Sequence, residues 1–442
     1  MTKKTRDYIF YLFIFFFVTG TILISLYASG YKFNLSWPLK FNRLLIKTGM
    51  IAVDTVPKGA VIYLNNDPQS NLSLNPFKTE YLMTAAKIKN VLPGEYTLRL
   101  EREGYWPFQK KIYVSSGQTT FAEDINLFRN NTPLLLAASS EVEAKLSASR
   151  KYLYIPLLSK MITLKNGEER VLPDQGADAT WLNKADKLLS SGNIYGVNPA
   201  DDANYENLIG AEAENWYLDE NQNRLYYQNK NAISYLKLSD KTSASALSGN
   251  NLDTYEPRGD SIFFVASESN RVSVNRYSMS SQKIEQSLSL PAVGQYEFKR
   301  DNTSALDLYD SLNKTLYILN PDNIQNGAQT IKNVISWQWI DAGTLLYSNT
   351  WEIYRFNLKT GSSDLLTRVG EEIIGLIWNG DGSYLIFSTA NSLNALDMKM
   401  NAATKIFQAD KISGVSIDEK NNLIYFWAKR GQESGIYKMI LQ

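Results

Sequence analysis

The chain contains no cysteine and no histidine in 442 residues. Without cysteine there is no disulfide, no thiolate metal site, no thiol nucleophile and no lipid-modified thiol. Without histidine there is no Ser-His-Asp triad, no imidazole base and no His-ligated zinc or iron. Any catalysis is left to carboxylates, lysine, tyrosine or a hard metal on oxygen ligands. A charge excess is missing too. The 46 basic and 45 acidic residues leave a net charge of +1, which argues against a nucleic-acid partner. Walker, dinucleotide-fingerprint, nucleophile-elbow and HExxH motifs are all absent. No cofactor, no metal and no catalytic residue is therefore expected, and a non-catalytic role is favoured over an enzymatic one.

What is present is a repeat. A turn rich in Asp, Asn or Gly leads into an apolar, aromatic strand at Leu146–Ile155, Trp181–Leu189, Leu218–Tyr227, Tyr255–Phe264, Phe298–Tyr309, Trp339–Tyr347, Trp378–Phe387 and Ile417–Phe426. Landmarks such as Leu188, Leu225, Ile262, Leu345, Leu385 and Leu423 recur at a period of about 40 residues, or twice that. This is the length of one four-stranded blade of a β-propeller. The reading gives about eight blades over residues 132–442, or seven if one degenerate copy is only a partial blade. The seventh repeat parses best: Ile373–Trp378 inside, then Tyr384–Ser388, Ser392–Met398 and Ala403–Phe407. The last copy lacks a fourth strand. Thr132–Ala138, placed beside Gly435–Leu441, supplies it and closes the ring. The phrase from Trp378 through Asn379-Gly380-Asp381-Gly382 to Phe387 resembles the repeats of TolB-like and WD40-like propellers.

The N-terminus reads differently. Residues 1–7 form a short tail with Lys3, Lys4 and Arg6, and residues 8–27 carry no charge. About 20 apolar residues are enough to cross roughly 30 Å of hydrocarbon as a helix. A cleavable signal peptide competes, with Ala28-Ser29-Gly30 as its small-residue site, but the run exceeds the roughly 7–15 residues of a signal core. An uncleaved transmembrane helix is expected. Its N-terminus is cytoplasmic and the bulk of the chain extracytoplasmic, although Lys32, Lys40, Arg43 and Lys47 weaken the charge bias. Residues 28–49 are a juxtamembrane linker. Tyr31, Phe33, Trp37 and Phe41 either sit at headgroup level or are scattered aromatics in a plain linker.

From Met50 the apolar pattern takes period two, as in a small antiparallel β-sandwich. Pro57-Lys58-Gly59-Ala60 precedes Val61-Ile62-Tyr63-Leu64. Later come Leu92-Pro93-Gly94-Glu95-Tyr96 and Glu103-Gly104-Tyr105. These three motifs, in order over residues 50–128, resemble the PEGA domain, with Lys58 where that family carries Glu. The resemblance implies a compact β-sandwich of the kind common in extracytoplasmic bacterial proteins, and no catalytic residues. Pro57, Gly59, Pro93, Gly94 and Gly104 shape turns, Ala60 packs tightly, and Tyr96 and Tyr105 are expected to fill the core. Apart from the one helix, the fold class is all-β.

Trp181, Trp216, Trp339 and Trp378 recur at similar repeat positions and read as sheet-to-sheet packing rather than as ligand platforms. Trp337 and Trp351 break that pattern and are the candidates for exposed ligand contacts. Asp219-x-Asn221-x-Asn223 resembles the start of a calcium loop, but Arg224 and Lys230 replace the Gly and Glu such a loop needs, so a solvated turn is expected. The stretches 201–207 and 320–323 read as polar surface loops. The leading function is a membrane-anchored, non-catalytic envelope protein whose propeller binds or scaffolds a protein or glycan. The alternative is a carboxylate-dependent envelope glycan hydrolase or lyase on the same scaffold.

Overall fold

A computed structural model describes residues 3–33, 45–70, 80–139, 144–147, 149, 151–173, 179–182, 186–190, 193–196, 198–204, 213–219, 222–229, 231–249, 252–268, 271–299, 304–380 and 382–442. Trp37, Phe41 and residues 205–207 lie outside them. The chain forms two compact units. The first is Met1–Asn131 with Asp397–Ile406 and Gln442, and the second is Thr132–Leu396 with Phe407–Leu441.

The first unit begins with helix α1, Lys3–Ala28. At 1.5 Å per residue it is about 39 Å long. None of its apolar span, Lys4–Ala28, is buried against protein. It therefore has the length, composition and exposure of a single membrane span or a signal sequence. Past its end, Tyr31–Phe33 pairs antiparallel with Leu45–Lys47.

A two-sheet sandwich follows. One sheet orders Ala86–Val91, Gly49–Val56 and Thr119–Asn126; the other orders Asp67–Pro68, Val61–Leu64, Gly94–Glu101 and Phe108–Val114. Period-two alternation builds its core. In the last strand Phe108, Ile112 and Val114 point inward, while Gln109, Lys111 and Tyr113 point outward. They meet Ile51, Val53, Ile62 and Leu98 from the neighbouring strands. One pairing departs from the expected antiparallel pattern: Gly49–Val56 runs parallel to Thr119–Asn126. The chain passes between the two sheets four times before Thr119–Asn126 joins Gly49–Val56 in the same direction, which a hairpin cannot do.

Gly59 and Gly104 take φ values of +92° and +77°, where a Cβ would be strained. Ala60 is fully buried, and its N–H donates to Thr84 Oγ1 at 3.0 Å. The two tyrosines differ from expectation. Tyr96 and Tyr105 border the core half-buried rather than filling it. Each has a polar partner: Tyr96 Oη donates to the Leu92 carbonyl at 2.8 Å, and the Arg102 and Arg129 guanidinia lie over the Tyr105 ring, 5.1 and 5.7 Å from its centre.

The second unit is a β-propeller. Among the described residues, eight four-stranded sheets make up this unit, and the first seven in the chain are meanders with their strands in order. By first and last strand they are I (Lys145–Leu146 to Glu169–Val171), II (Thr180–Trp181 to Ala203–Asn204), III (Glu214–Asp219 to Thr242–Ser248), IV (Leu252–Arg258 to Lys283–Leu290), V (Tyr296–Lys299 to Ala328–Ile331), VI (Ser336–Asp341 to Ser362–Arg368) and VII (Ile373–Trp378 to Ala402–Gln408). Sheet VIII takes Lys411–Asp418, Leu423–Arg430 and Glu433–Ile440 from the C-terminal end and Leu134–Ala138 from about 300 residues earlier. Leu134 opposes Lys438 and Ala138 opposes Gly435. Neighbouring sheets share apolar cores, and Leu153 and Ile155 of sheet I pack with Tyr425 and Trp427 of sheet VIII. The run of sheets therefore returns on itself, and the edges that remain are the short outer edges of single sheets.

A five-residue turn of one geometry recurs at different connections of these sheets: first to second strand in III and VIII, second to third in V, and third to fourth in VI. Its first residue accepts a backbone N–H three positions on: Asp219 from Gln222 at 3.1 Å, Asp310 from Asn313 at 3.2 Å, Asn357 from Thr360 at 3.0 Å and Asp418 from Asn421 at 3.2 Å. Its fifth residue is left-handed: Asn223, Lys314, Gly361 and Asn422 have φ of +53°, +49°, +67° and +54°. The short Asp or Asn side chain satisfies donors that a tight turn would otherwise leave unpaired.

Candidate binding surfaces

The tryptophans first. Trp339 and Trp337 stand two residues apart on the inner strand of sheet VI, so they share a face. Both indole nitrogens donate to Asp307 Oδ2 on sheet V, at 2.7 and 3.0 Å. Asp307 is 1% exposed. Trp337 also lies 4.8 Å from the Tyr309 ring centre, and both tryptophans border the core shared by sheets V and VI. Trp337 is thus half-buried with its N–H engaged, not an open platform. Trp181 donates to the Lys145 carbonyl at 2.8 Å, and Trp216 packs 5.8 Å from Tyr227.

Trp351 is different. It is 47% exposed on the hairpin joining Thr344–Ser348 to Glu352–Asn357. Asn349 Oδ1 caps that hairpin, accepting the N–H groups of Trp351 and Glu352 at 2.9 and 2.7 Å. Glu352 beside it accepts from Tyr354 Oη at 2.6 Å, from Asn349 Nδ2 at 2.8 Å and from Arg368 Nε at 2.8 Å. These hydrogen bonds hold the Glu352 carboxyl down at about 2 and the Tyr354 hydroxyl up at about 12. The hairpin backbone is tied to the next crossover, because Val369 N–H donates to the Trp351 carbonyl and Ile373 N–H to the Thr350 carbonyl. An exposed indole thus stands on a hydrogen-bonded hairpin beside a fixed carboxylate and a guanidinium.

At the opposite end of these meanders lies a cleft of about 580 Å³ beside sheet V, within the range of small-molecule sites. Ile318, Leu319 and Leu358 floor it, and Asn320, Asp322 and Gln329 supply polar edges. The loop read from sequence as Asn320–Asn323 forms its wall. Gln286 braces that wall, donating to the Asp322 carbonyl at 3.2 Å and accepting from Ile324 N–H at 2.8 Å.

Of the calcium-like stretch, Asn221 and Lys230 lie outside the described residues; Asp219 Oδ1 accepts the Gln222 N–H and Asn223 is left-handed, with φ +53°. Among the described residues no group of three or more acidic side chains is arranged to hold a metal ion. Asp240, Asp260 and Glu352 are all pushed below the ordinary carboxylate range, chiefly by side-chain hydrogen bonds from Thr242, Ser280 and Tyr354.

The PEGA domain family matches residues 77–127. That span includes Pro93, Gly94, Tyr96, Gly104 and Tyr105, while Pro57, Gly59 and Ala60 precede it. No curated protein sequence matches the chain. Similar solved structures include a eukaryotic initiation factor, 12% identical, covering 71% of this chain and 90% of that one at a TM-score of 0.49. The Dos1 propeller is 10% identical, covering 71% and 96% at 0.48. The Neurospora crassa Pan2 WD40 domain is 9% identical, covering 67% and 87% at 0.38. Likenesses this distant concern the fold alone; the order of strands and sheets identifies the propeller.

Proposed function

We propose that this chain is a single-pass protein of a bacterial cell envelope that recruits a protein or glycan partner without catalysing a reaction. The observation that carries the reading is the bare helix α1, an apolar rod about 39 Å long that buries none of its span in protein and leads directly into the PEGA-type sandwich. A soluble protein gains nothing by leaving such a helix uncovered. Lys3, Lys4 and Arg6 support a cytoplasmic N-terminus, with the propeller outside.

A closed propeller offers loop faces for recognition, and Trp351 is the residue we assign to it. The general acid of a glycan hydrolase has a raised pKa, a role that Asp240, Asp260 and Glu352, held below the ordinary carboxylate range, do not suit.

Surface proteolysis tests the placement. In spheroplasts, external protease is expected to digest the propeller while α1 stays with the membrane. Protection until lysis would place the propeller in the cytoplasm and overturn the envelope reading. For recognition, Trp351→Ala is expected to weaken capture of crosslinked envelope partners about tenfold or more, as a central aromatic contact does.

A further inference from the structure

The end of helix α1 is not loosely tethered to the sandwich. Two residues past Ala28, the Gly30 carbonyl accepts both the N–H of Thr48 at 2.8 Å and its Oγ1 at 2.7 Å. Thr48 is only 6% exposed, so breaking this pair leaves buried polar groups unmet. The Thr48 carbonyl in turn accepts Gly117 N–H at 3.0 Å, Ser116 Oγ donates to the Lys47 carbonyl at 2.9 Å, and Met50 N–H donates to the Gln118 carbonyl at 2.9 Å. Gly49 locks the stack: a Cβ there would lie 2.5 Å from the Ser115 carbonyl oxygen. The turn 115–118 is therefore two hydrogen-bonded steps from Gly30, two residues past the end of the helix.

That distance sets its depth. The uncharged run of residues 8–27 matches the hydrocarbon thickness. Gly30 then falls in the headgroup layer, which is roughly 5–8 Å thick on each side. The turn's surface suits that layer. Lys32 and Lys47 are exposed, and the Lys47 side chain lies over Gly117, its Cε and Nζ 3.1 and 3.2 Å from where a Cβ would stand. Tyr113 and Phe121, on the two strands flanking the turn, are 65% and 66% exposed. Lysines beside half-wet aromatic rings are the residues that settle at a membrane interface.

We infer that the turn 115–118, with Lys32, Lys47, Tyr113 and Phe121, is a foot that seats the sandwich on the headgroups of anionic phospholipid. This rests on the proposed membrane span. The natural absence of cysteine makes the test direct. Full-length Ser116→Cys and Glu103→Cys chains, each carrying an environment-sensitive fluorophore, are reconstituted into phosphatidylcholine vesicles with and without phosphatidylglycerol. Glu103 lies beyond the far end of strand Phe108–Val114, about 20 Å from the turn. Lipids spin-labelled at the headgroup are expected to quench position 116 at least twofold more than position 103, and more strongly when phosphatidylglycerol is present. Flotation with the vesicles but equal, weak quenching at both positions overturns the foot and leaves the span intact. So does shielding of position 116 from an aqueous quencher without lipid quenching, which means that protein covers it. Failure to float overturns the span and the foot together.

Discussion

The indole N–H of Trp339 donates a 2.7 Å hydrogen bond to Asp307 Oδ2, the same oxygen that Trp337 engages at 3.0 Å. One buried carboxylate oxygen thus joins the inner strand of sheet VI to the second strand of sheet V. Removing it strands two donors. Asp307→Ala is expected to destabilise the propeller by about 2–4 kcal/mol, from the loss of charge-assisted bonds and the orphaned indoles. Asp307→Asn keeps an acceptor and is expected to cost about half as much. Urea unfolding followed by tryptophan fluorescence reads both, and equal losses in the two variants would contradict the hydrogen-bond account.

The five-residue turns make a prediction of the opposite sign. Lys314 holds φ +49° and Gln282 φ +54°, a conformation that costs a residue with a Cβ about 1–2 kcal/mol. Glycine relieves that strain but widens the unfolded ensemble. Lys314→Gly and Gln282→Gly are each expected to stabilise by about 0.5 kcal/mol, measured as a higher denaturation midpoint. At Asp310, which accepts Gln295 N–H at 3.0 Å and Asn313 Nδ2 at 2.7 Å, substitution by Ala is expected to cost about 1–3 kcal/mol.

Ring closure can be probed at a single atom. A Cβ on Gly435 would lie 2.3 Å from the Ala137 carbonyl oxygen. Gly435→Ala must part the closing strand from its neighbour. We expect a loss of about 3 kcal/mol, at the upper end of overpacking costs, and faster amide exchange in Leu134–Ala138 than in the other outer strands. Unchanged exchange there would argue that the closing strand is not held by this pairing.

Acid should act on Glu352. Its folded pKa, about 2, lies below the ordinary value of 4.5 because Tyr354, Asn349 and Arg368 hydrogen-bond the charged form. The stabilisation this gives is complete above pH 4.5 and is lost as pH falls toward 2. The difference in melting temperature between the native chain and Glu352→Gln is therefore expected to be constant from pH 5 to 8 and to shrink below 4.5. A difference that grows with acid would contradict the assignment.

Some of this was legible in the residues, because it is written in local patterns. The turn at Asp418 to Asn422 and the strand that follows it announce a hairpin by composition alone. Thr132–Ala138 stood out as an apolar strand without a repeat, which is what a closing strand looks like before its partner is known. The Asp307 pair was hidden, since its partners are 30 and 32 residues away on another sheet. A signal was nonetheless available: Trp337 and Trp339 are two apart on one strand, so they share a face and an environment. Reading Trp337 as exposed and Trp339 as packed set that periodicity aside. The parallel strand Thr119–Asn126 left no trace in alternation, because period two is the same in either direction.

Sheet VIII also sets a clock. Leu134 must wait for Lys438, about 300 residues further along. At 5–20 residues per second the closing strand is made some 15–60 seconds before its partner exists. During that interval an apolar strand with unpaired backbone groups is open to any neighbour. Circularity, which protects the finished molecule from sticking to its own kind, exposes the nascent one for longest. A factor that holds the nascent chain would act longest at the first strand of the propeller rather than at the last.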